Sequence, residues 1–369
     1  MGISILFVTG CTIPLQPIPT QTPVSQVQVV PTTPPVTDTP NTPLTCLDEE
    51  LLCVGLVTDI AGVDDRSFNQ SAWEGVLRAQ RDLGARVEFI ESMDAADYTT
   101  NINHFAEQDF DVIVTVGFNL QSSTIIAAEE YSHIHFIGVD QFQGDADIKS
   151  NVSGLIFSEK KAGFLAGALA AMLTETGTVG AVLGTEQVPP IVAFKEGFEL
   201  GALAIQPEIQ VLTTYHPGGV ATAFTDPDWG QETAKGMIEE GADVIFAAAG
   251  GTGNGALVEV ASYDDHFCIG VDSDQWLTVP EAHQCLVSSA MKQIDEGVFE
   301  LIAWSLVGAP KSGNYVGNVQ LAPFHDFDED LSTEAKIFLT DLKRGLEEGS
   351  IPLDGTFVHA SPPRAILDP

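Results

Sequence analysis

Positive charge is scarce in this chain. Fifteen Lys and Arg stand against 52 Asp and Glu, a formal charge of -37 at pH 7. A nucleic-acid partner is excluded by that balance, because phosphate binding needs a basic face. The acidity fits solubility outside the cell, and salt adaptation, without naming a ligand. Catalytic signatures are missing too: there is no G-x-S-x-G, H-E-x-x-H, C-x-x-C or G-K-[ST], and the eight histidines are scattered. The acid pairs Asp64–Asp65 and Asp264–Asp265 lie in turns, where solvated side chains are the default. No enzyme, metal or cofactor is therefore expected. The first apolar run, residues 3–8, is far too short to span a bilayer.

That run is followed by V-T-G-C, which places Cys11 after a small residue. The pattern looks like the lipobox of a bacterial lipoprotein, in which the cysteine is lipidated and becomes the mature N-terminus. No Lys or Arg precedes the run and the run is short, so the true start is expected upstream of Met1. A free cysteine in a ragged N-terminus is the bland alternative. Residues 12–45 hold nine prolines, many Thr and Gln, and no Lys or Arg. Such a segment stays extended, partly polyproline II. The expected organisation is a signal segment over 1–11, a disordered tether over 12–48 and a folded domain over 49–369. Anchor and tether together would hold that domain above a membrane surface.

At 369 residues the chain has room for two lobes with adequate cores. From Cys53 onward, strand-like and helix-like segments alternate. Strands are expected at 54–59, 87–91, 111–116, 135–140, 152–157, 179–183, 209–215, 243–248, 267–272 and 286–290. Helices are expected at 69–83, 159–173, 190–204 and 230–240. Alternation of this kind implies parallel sheets covered on both faces. E-Q-D-F-D-V-I (107–113) and I-G-V-D (137–140) recur, offset by 132 residues, as E-E-G-A-D-V-I (239–245) and I-G-V-D (269–272). A repeat with this double spacing implies two Rossmann-like lobes, with Asp140 and Asp272 at equivalent strand ends. The ligand cleft lies naturally between them. The first lobe is expected over about 49–157 plus 288–322. The second is expected over about 158–287 plus part of the C-terminal segment.

The stretch 54–75 reads as a buried strand, a loop with Gly62, and a helix that Asp65, Ser67 or Asn69 can cap. Its loop carries Asp59, Asp65, Phe68 and Asn69 but no lysine, which favours a hydroxylated, aromatic, uncharged ligand over a phosphate. Phe68 is either a staple in the helix packing or a platform for a base. Phe194 and Phe198 share one helix face and are candidates for the opposing ring, one of them being core. Asp59 and Asp272 end apolar strands, where an unpaired carboxylate is costly, so each must be hydrated, paired or ligand-directed. Lys292 is placed to pair with Asp272, or else is an exposed helix lysine. The turn A-G-G-T-G-N-G (249–255) fits a loose dinucleotide fingerprint, but a tight turn into a helix explains it equally well. Cys46 with Cys53 and Cys268 with Cys285 are compatible with two disulfides, the alternative being buried free thiols.

Taken together, D-D-R-S-F-N-Q-S-A-W-E-G (64–75), F-K-E-G-F-E-L-G (194–201), F-T-D-P (224–227), G-A-D-V-I-F-A-A-A-G-G-T-G-N-G (241–255), I-G-V-D-S-D-Q (269–275) and S-A-M-K (289–292) resemble a known family. It is the basic membrane protein group of substrate-binding lipoproteins, whose best-understood members bind purine nucleosides for ABC transporters. The resemblance runs from about Cys53 to Leu321. It implies a type I periplasmic-binding-protein fold, a nucleoside ligand, an ABC permease as partner, and a lipid anchor. A monomer is expected. It also implies a base stacked between Phe68 and an aromatic of the 194–198 helix. Asp272 and Lys292 would hold the ribose, Asp59, Asn69 and Asp140 would lie near the base, and Gly250 would line the pocket floor. Three alternatives stay open: a sugar or other small hydroxylated ligand, a ligand-sensing lipoprotein, and an enzyme using the glycine-rich turn.

Overall fold

A computed structural model describes residues 46–47, 51–144, 148–359, 362–363 and 365. Cys11 and nearly all of the 12–48 tether lie outside the described residues.

The first half alternates as β1 (Cys53–Val57), α1 (Phe68–Leu83), β2 (Arg86–Ile90), α2 (Asp97–Ala106), β3 (Val112–Val116), α3 (Gln121–Glu130), β4 (His135–Val139) and β5 (Val152–Ile156). Then come α4 (Glu159–Leu173), β6 (Thr178–Leu183), α5 (Pro189–Ile205), β7 (Gln210–Tyr215), α6 (Pro227–Glu239), β8 (Val244–Ala248), α7 (Gly250–Val260), β9 (Phe267–Asp272), α8 (Gln275–Thr278) and β10 (Leu286–Lys292). The chain ends through α9 (Ile294–Leu306), β11 (Gly313–Val316), β12 (Val319–Leu321) and α10 (Thr333–Glu348). Two six-stranded sheets result, β11-β5-β4-β3-β1-β2 and β12-β10-β9-β8-β6-β7. Every neighbouring pair is parallel except β10–β12. The repeat read from the sequence is thus a repeat of topology, with β2-β1-β3-β4-β5 matched by β7-β6-β8-β9-β10.

The central strands β1, β3, β4, β6 and β8 are buried along their whole length, as helices on both sheet faces require. In the second lobe, α4 and α5 lie unusually close. Gly163 and Gly167 face the backbone of Phe194 and Phe198, and Gly197 and Gly201 face that of Lys160 and Phe164. A Cβ at any of the four would strike a carbonyl of the facing helix, so glycine is what permits this approach. The helix expected at 230–240 begins three residues earlier. The Asp226 carboxylate accepts from Trp229 N at 3.1 Å with Pro227 at the first helical position, a capped start that hydrophobic spacing does not reveal.

The lobe boundary differs from the expectation of 288–322 in the first lobe. β10 pairs with β9 and β12 pairs with β10, so Leu286–Lys292 and Val319–Leu321 belong to the second sheet. Only α9 and β11 return to the first lobe, where α9 packs on α1 and β11 pairs with β5. Among the described residues the chain therefore crosses between lobes three times, at 157–158, at Gln293 and at 317–318. Periodicity identifies a strand but not its neighbour; hydrogen-bonded partners decide the lobe.

Candidate functional site

Both lobes have the doubly wound strand order whose ligand crevice opens at the carboxyl ends of the strands where the order reverses. Those points lie between β1 and β3 in one lobe and between β6 and β8 in the other. A cavity of about 580 Å³, open mouth included, sits where the two crevices meet. After β1 it is lined by Asp59, Asp65, Phe68 and Asn69, after β3 by Gly117–Asn119, and after β4 by Asp140. The second lobe supplies Val188, Pro190, Ile191, Phe224, Ala249, Gly250, Asp272 and Lys292.

The Asp65 carboxylate organises the first-lobe wall. It accepts from the N–H groups of Ser67, Asn69 and Gln70 at 2.8–3.1 Å and from Asn69 Nδ2 at 3.0 Å. Asp65 thus satisfies the open amides of α1, while Ser67, at the N-cap position, makes no side-chain cap. Asn69 Nδ2 also donates to Asp59 Oδ1 at 2.9 Å. The amide is oriented by two carboxylates, and its Oδ1 is buried without a hydrogen-bond partner. Burial pushes the Asp59 carboxyl up, opposed by Ala61 N–H and Asn69. Burial likewise pushes Asp65 up to about 7 against three backbone donors. Gly117, at φ 110, lets the chain pass the Asp59 carboxylate; a Cβ there would lie 3.2 Å from Oδ2.

Lys292 is the centre of the second cluster. Its ammonium is 2.7 Å from Asp140 Oδ2, 3.4 Å from Asp272 Oδ1 and 3.7 Å from Glu159 Oε1. Asp272 is the pairing read from the sequence, yet Asp140 of the opposite lobe is closer. Asp140 and Asp272 both adopt left-handed φ, 59° and 63°, a region Asp tolerates better than most residues. Asp140 Oδ1 and Asp272 Oδ1 are buried without a hydrogen bond. Burial pulls the Lys292 pKa down, but Asp140, Asp272 and Glu159 outweigh it and raise it above the ordinary lysine value, so the ammonium stays charged. Burial pushes Glu159 up to about 7, with Lys292 pulling the other way. Sequence reading missed Glu159, because nothing local distinguishes it from any other acid in the first turn of a helix.

The aromatic assignment needs correcting. Phe194 and Phe198 are fully buried against Phe246 and do not line the cavity. Their helix presents its first turn, Pro190 and Ile191, instead. Phe194 stands behind Lys292, whose Nζ lies 5.8 Å from its ring, 5.5 Å from that of Phe157 and 4.6 Å from that of Phe68. The second-lobe aromatic in the cavity is Phe224, from the F-T-D-P motif, with Phe118 joining from the first lobe. Phe224 packs beside Gly184, where a side chain would crowd its ring, and lies in ordinary contact with Gly250. The glycine-rich turn after β8 serves packing as well: Gly255 faces the backbone of Pro227, and Gly230 that of Thr252. Thr252 N–H, in the first turn of α7, donates to the Phe224 carbonyl at 3.3 Å. Away from the cavity, disulfides join Cys46 to Cys53 and Cys268 to Cys285.

Two doubly wound lobes, three crossings and an interlobe cavity define a type I periplasmic-binding-protein fold, the class of solute-binding proteins. Solved structures agree on the fold. The solute-binding protein of an ABC transporter system from Aeropyrum pernix superposes with TM-score 0.71 at 23% identity, covering 82% of this chain and 92% of that one. An Actinobacillus succinogenes periplasmic solute-binding protein with bound D-allose gives 0.61 at 14%, covering 75% and 99%. Within that class the chain belongs to the family described as ABC transporter substrate-binding protein PnrA-like, whose sequence model matches residues 53–313. Relatives include the CD4+ T-cell-stimulating antigen of Listeria monocytogenes, 33% identical over 73% of this chain and 76% of that protein. The ABC transporter nucleoside-binding protein BmpA of Lactococcus lactis subsp. cremoris is 34% identical over 61% and 64%. Basic membrane protein D of Borreliella burgdorferi is 30% identical over 68% and 71%. The family is one of extracytoplasmic substrate-binding proteins that deliver ligand to a permease. No helix among the described residues is long and apolar enough to cross a membrane.

Proposed function

We propose that this chain captures a nucleoside, of the purine class, by closing its lobes, and hands it to an ABC permease while tethered by a lipid at Cys11. The observation that carries the reading is the pairing in one cavity of two aromatic rings from opposite lobes, Phe68 and Phe224, with buried acceptors that lack hydrogen-bond partners. Aromatic faces are surfaces on which a flat heterocycle would stack, and a ribose would supply hydroxyl donors. Asn69 and Asp59 stand on the Phe68 side and would read the base edge. Asp272 and Asp140, bridged by Lys292, would accept from ribose hydroxyls, while Lys292 donates to a ribose oxygen. Lobe closure lets contacts from both sides stabilise the shut state.

Charge argues against nucleotides. Asp140, Asp272 and Glu159 surround the Lys292 ammonium, and Asp59 and Asp65 line the same cavity, so a ligand phosphate would meet acidic side chains and, among the described lining residues, no unpaired cation. The relative named as nucleoside-binding supports the ligand class. The test is a thermal shift of the folded domain against nucleosides, nucleotides and sugars, since a ligand of the folded state raises the midpoint. A shift with purine nucleosides and not with their phosphates is expected. A shift with sugars alone would overturn the base-stacking role of Phe68 and Phe224.

A further inference from the structure

The turn at 65–67 joins β1 to α1 in the first lobe, yet the second lobe grips it along its outer edge. Asn254 Nδ2, on α7, donates to the Asp65 carbonyl at 2.9 Å. Thr278 Oγ1, on α8, donates to the Arg66 carbonyl at 2.8 Å, and Gln275 Nε2 approaches the same oxygen at 3.5 Å. Gln275 Nε2 also donates to Asn254 Oδ1 at 2.7 Å, which leaves the Asn254 NH2 facing Asp65. The Arg66 guanidinium reaches both oxygens of Glu281 at 3.0–3.1 Å. Ser67 Oγ donates to the Val271 carbonyl at 3.3 Å.

Two features make this more than incidental contact. Arg66 has φ 59, a left-handed conformation disfavoured for a residue with a Cβ, and such residues persist where their surroundings over-determine them. The inner edge of the turn is pinned by the Asp65 carboxylate, which also sets the start of α1. None of Arg66, Asn254, Gln275, Thr278 or Glu281 lines the cavity, whereas the next two residues, Phe68 and Asn69, do.

From this geometry we infer that the 65–67 turn is a closure latch. Asn254 and Thr278 of the second lobe act as positioning residues that bias the open–shut equilibrium and set Phe68 and Asn69 in the same event, without touching ligand. The acceptors are backbone carbonyls, so the latch does not depend on a first-lobe side chain. The Arg66–Glu281 pair is half exposed and adds little, and less in salt. The inference stands on lobe contacts alone and is independent of which ligand the cavity takes.

The test uses the full chain carrying Asn254→Ala with Thr278→Val, and Thr278→Val alone as the near-isosteric variant that keeps the fold. Ligand-free small-angle X-ray scattering and amide exchange are read first. The double variant is expected to show a larger radius of gyration and faster exchange over 65–70, with the single variant shifted the same way but less. Guanosine dissociation should then accelerate roughly tenfold in the double variant, the order set by losing one or two neutral hydrogen bonds. Scattering and exchange unchanged from the parent in both variants would overturn the latch. If the parent binds no nucleoside, the proposed function fails, while scattering and exchange still decide the latch.

Discussion

Asp140 and Asp272, 132 residues apart, end corresponding strands of the two lobes in the same left-handed conformation and share one ammonium, that of Lys292, at 2.7 and 3.4 Å. The internal repeat therefore has a functional consequence: it brings two equivalent carboxylates face to face across the cleft. One buried cation keeps them from repelling each other. Each retains an oxygen with no hydrogen bond, and both residues line the cavity.

Removing that cation should be severe. Lys292→Met leaves Asp140, Asp272 and Glu159 without a counter-charge, and breaking a buried pair costs about 3–5 kcal/mol. Urea unfolding should show a loss of that size, and Asp140→Asn added to Lys292→Met should recover part of it. A Lys292→Met domain as stable as the parent would refute the charge cluster.

The two cavity rings should behave unlike the two core rings. Phe68→Ala and Phe224→Ala are each expected to weaken purine nucleoside binding by about 1–3 kcal/mol, the range for stacking a base on an aromatic side chain. Phe198→Ala should instead lower stability by about 3–5 kcal/mol, because it empties a core site against Phe246. Calorimetric titration beside thermal melts separates the two effects. Parent-like affinity in Phe224→Ala would return the stacking role to another residue.

Glu159 should make stability pH-dependent. Its folded-state value, about 7, lies above the ordinary 4.5, so between those values the folded chain holds a proton that the unfolded chain has released. Stability from this group is present at low pH and is lost as pH rises from about 4.5 to 7. Glu159→Gln removes that slope. Relative to the parent, the variant should gain up to about 3 kcal/mol between pH 4.5 and 7.5, at 1.36 kcal/mol per pKa unit. His135, which burial holds down at about 4, acts with the opposite sign in both proteins and cancels in the comparison. Parallel stability curves for the two would contradict the assignment.

The α4–α5 contact should not tolerate added volume. Gly167→Ala places a methyl against the Phe198 carbonyl, and the helices must separate to admit it. A loss of about 1–3 kcal/mol, or more, is expected in urea midpoints with no change in slope. Gly236→Ala, on an open helix face with nothing nearby, is the control and should be neutral or stabilising.

The ten strands read from apolar runs all exist, because a strand buried on both faces must be apolar throughout and local composition records that. Lobe symmetry was legible for a similar reason, since an internal repeat survives as a spacing. β11 and β12 were not legible: each is short and mixed in character, and what makes it a strand is its partner, β5 far back in the chain for β11 and β10 across the α9–β11 excursion for β12. Phe194 and Phe198 show the same limit at the site. A helical face carrying two aromatics reads alike whether it meets a ligand or Phe246.

What the sequence determined by itself was therefore whatever is local or repeated. This includes the acidic balance that excludes nucleic acid, the alternating elements, the offset of 132 residues, and the loop that carries Asp59, Phe68 and Asn69. What only the tertiary structure decided was which groups meet. Asp140 rather than Asp272 is the nearest partner of Lys292, Glu159 joins their cluster, and Phe224 faces the cavity while Phe194 does not. Those outcomes depend on three chain crossings and on helices brought close by glycine. Distances between residues more than a hundred positions apart are set by how whole lobes pack, and no window of sequence contains them.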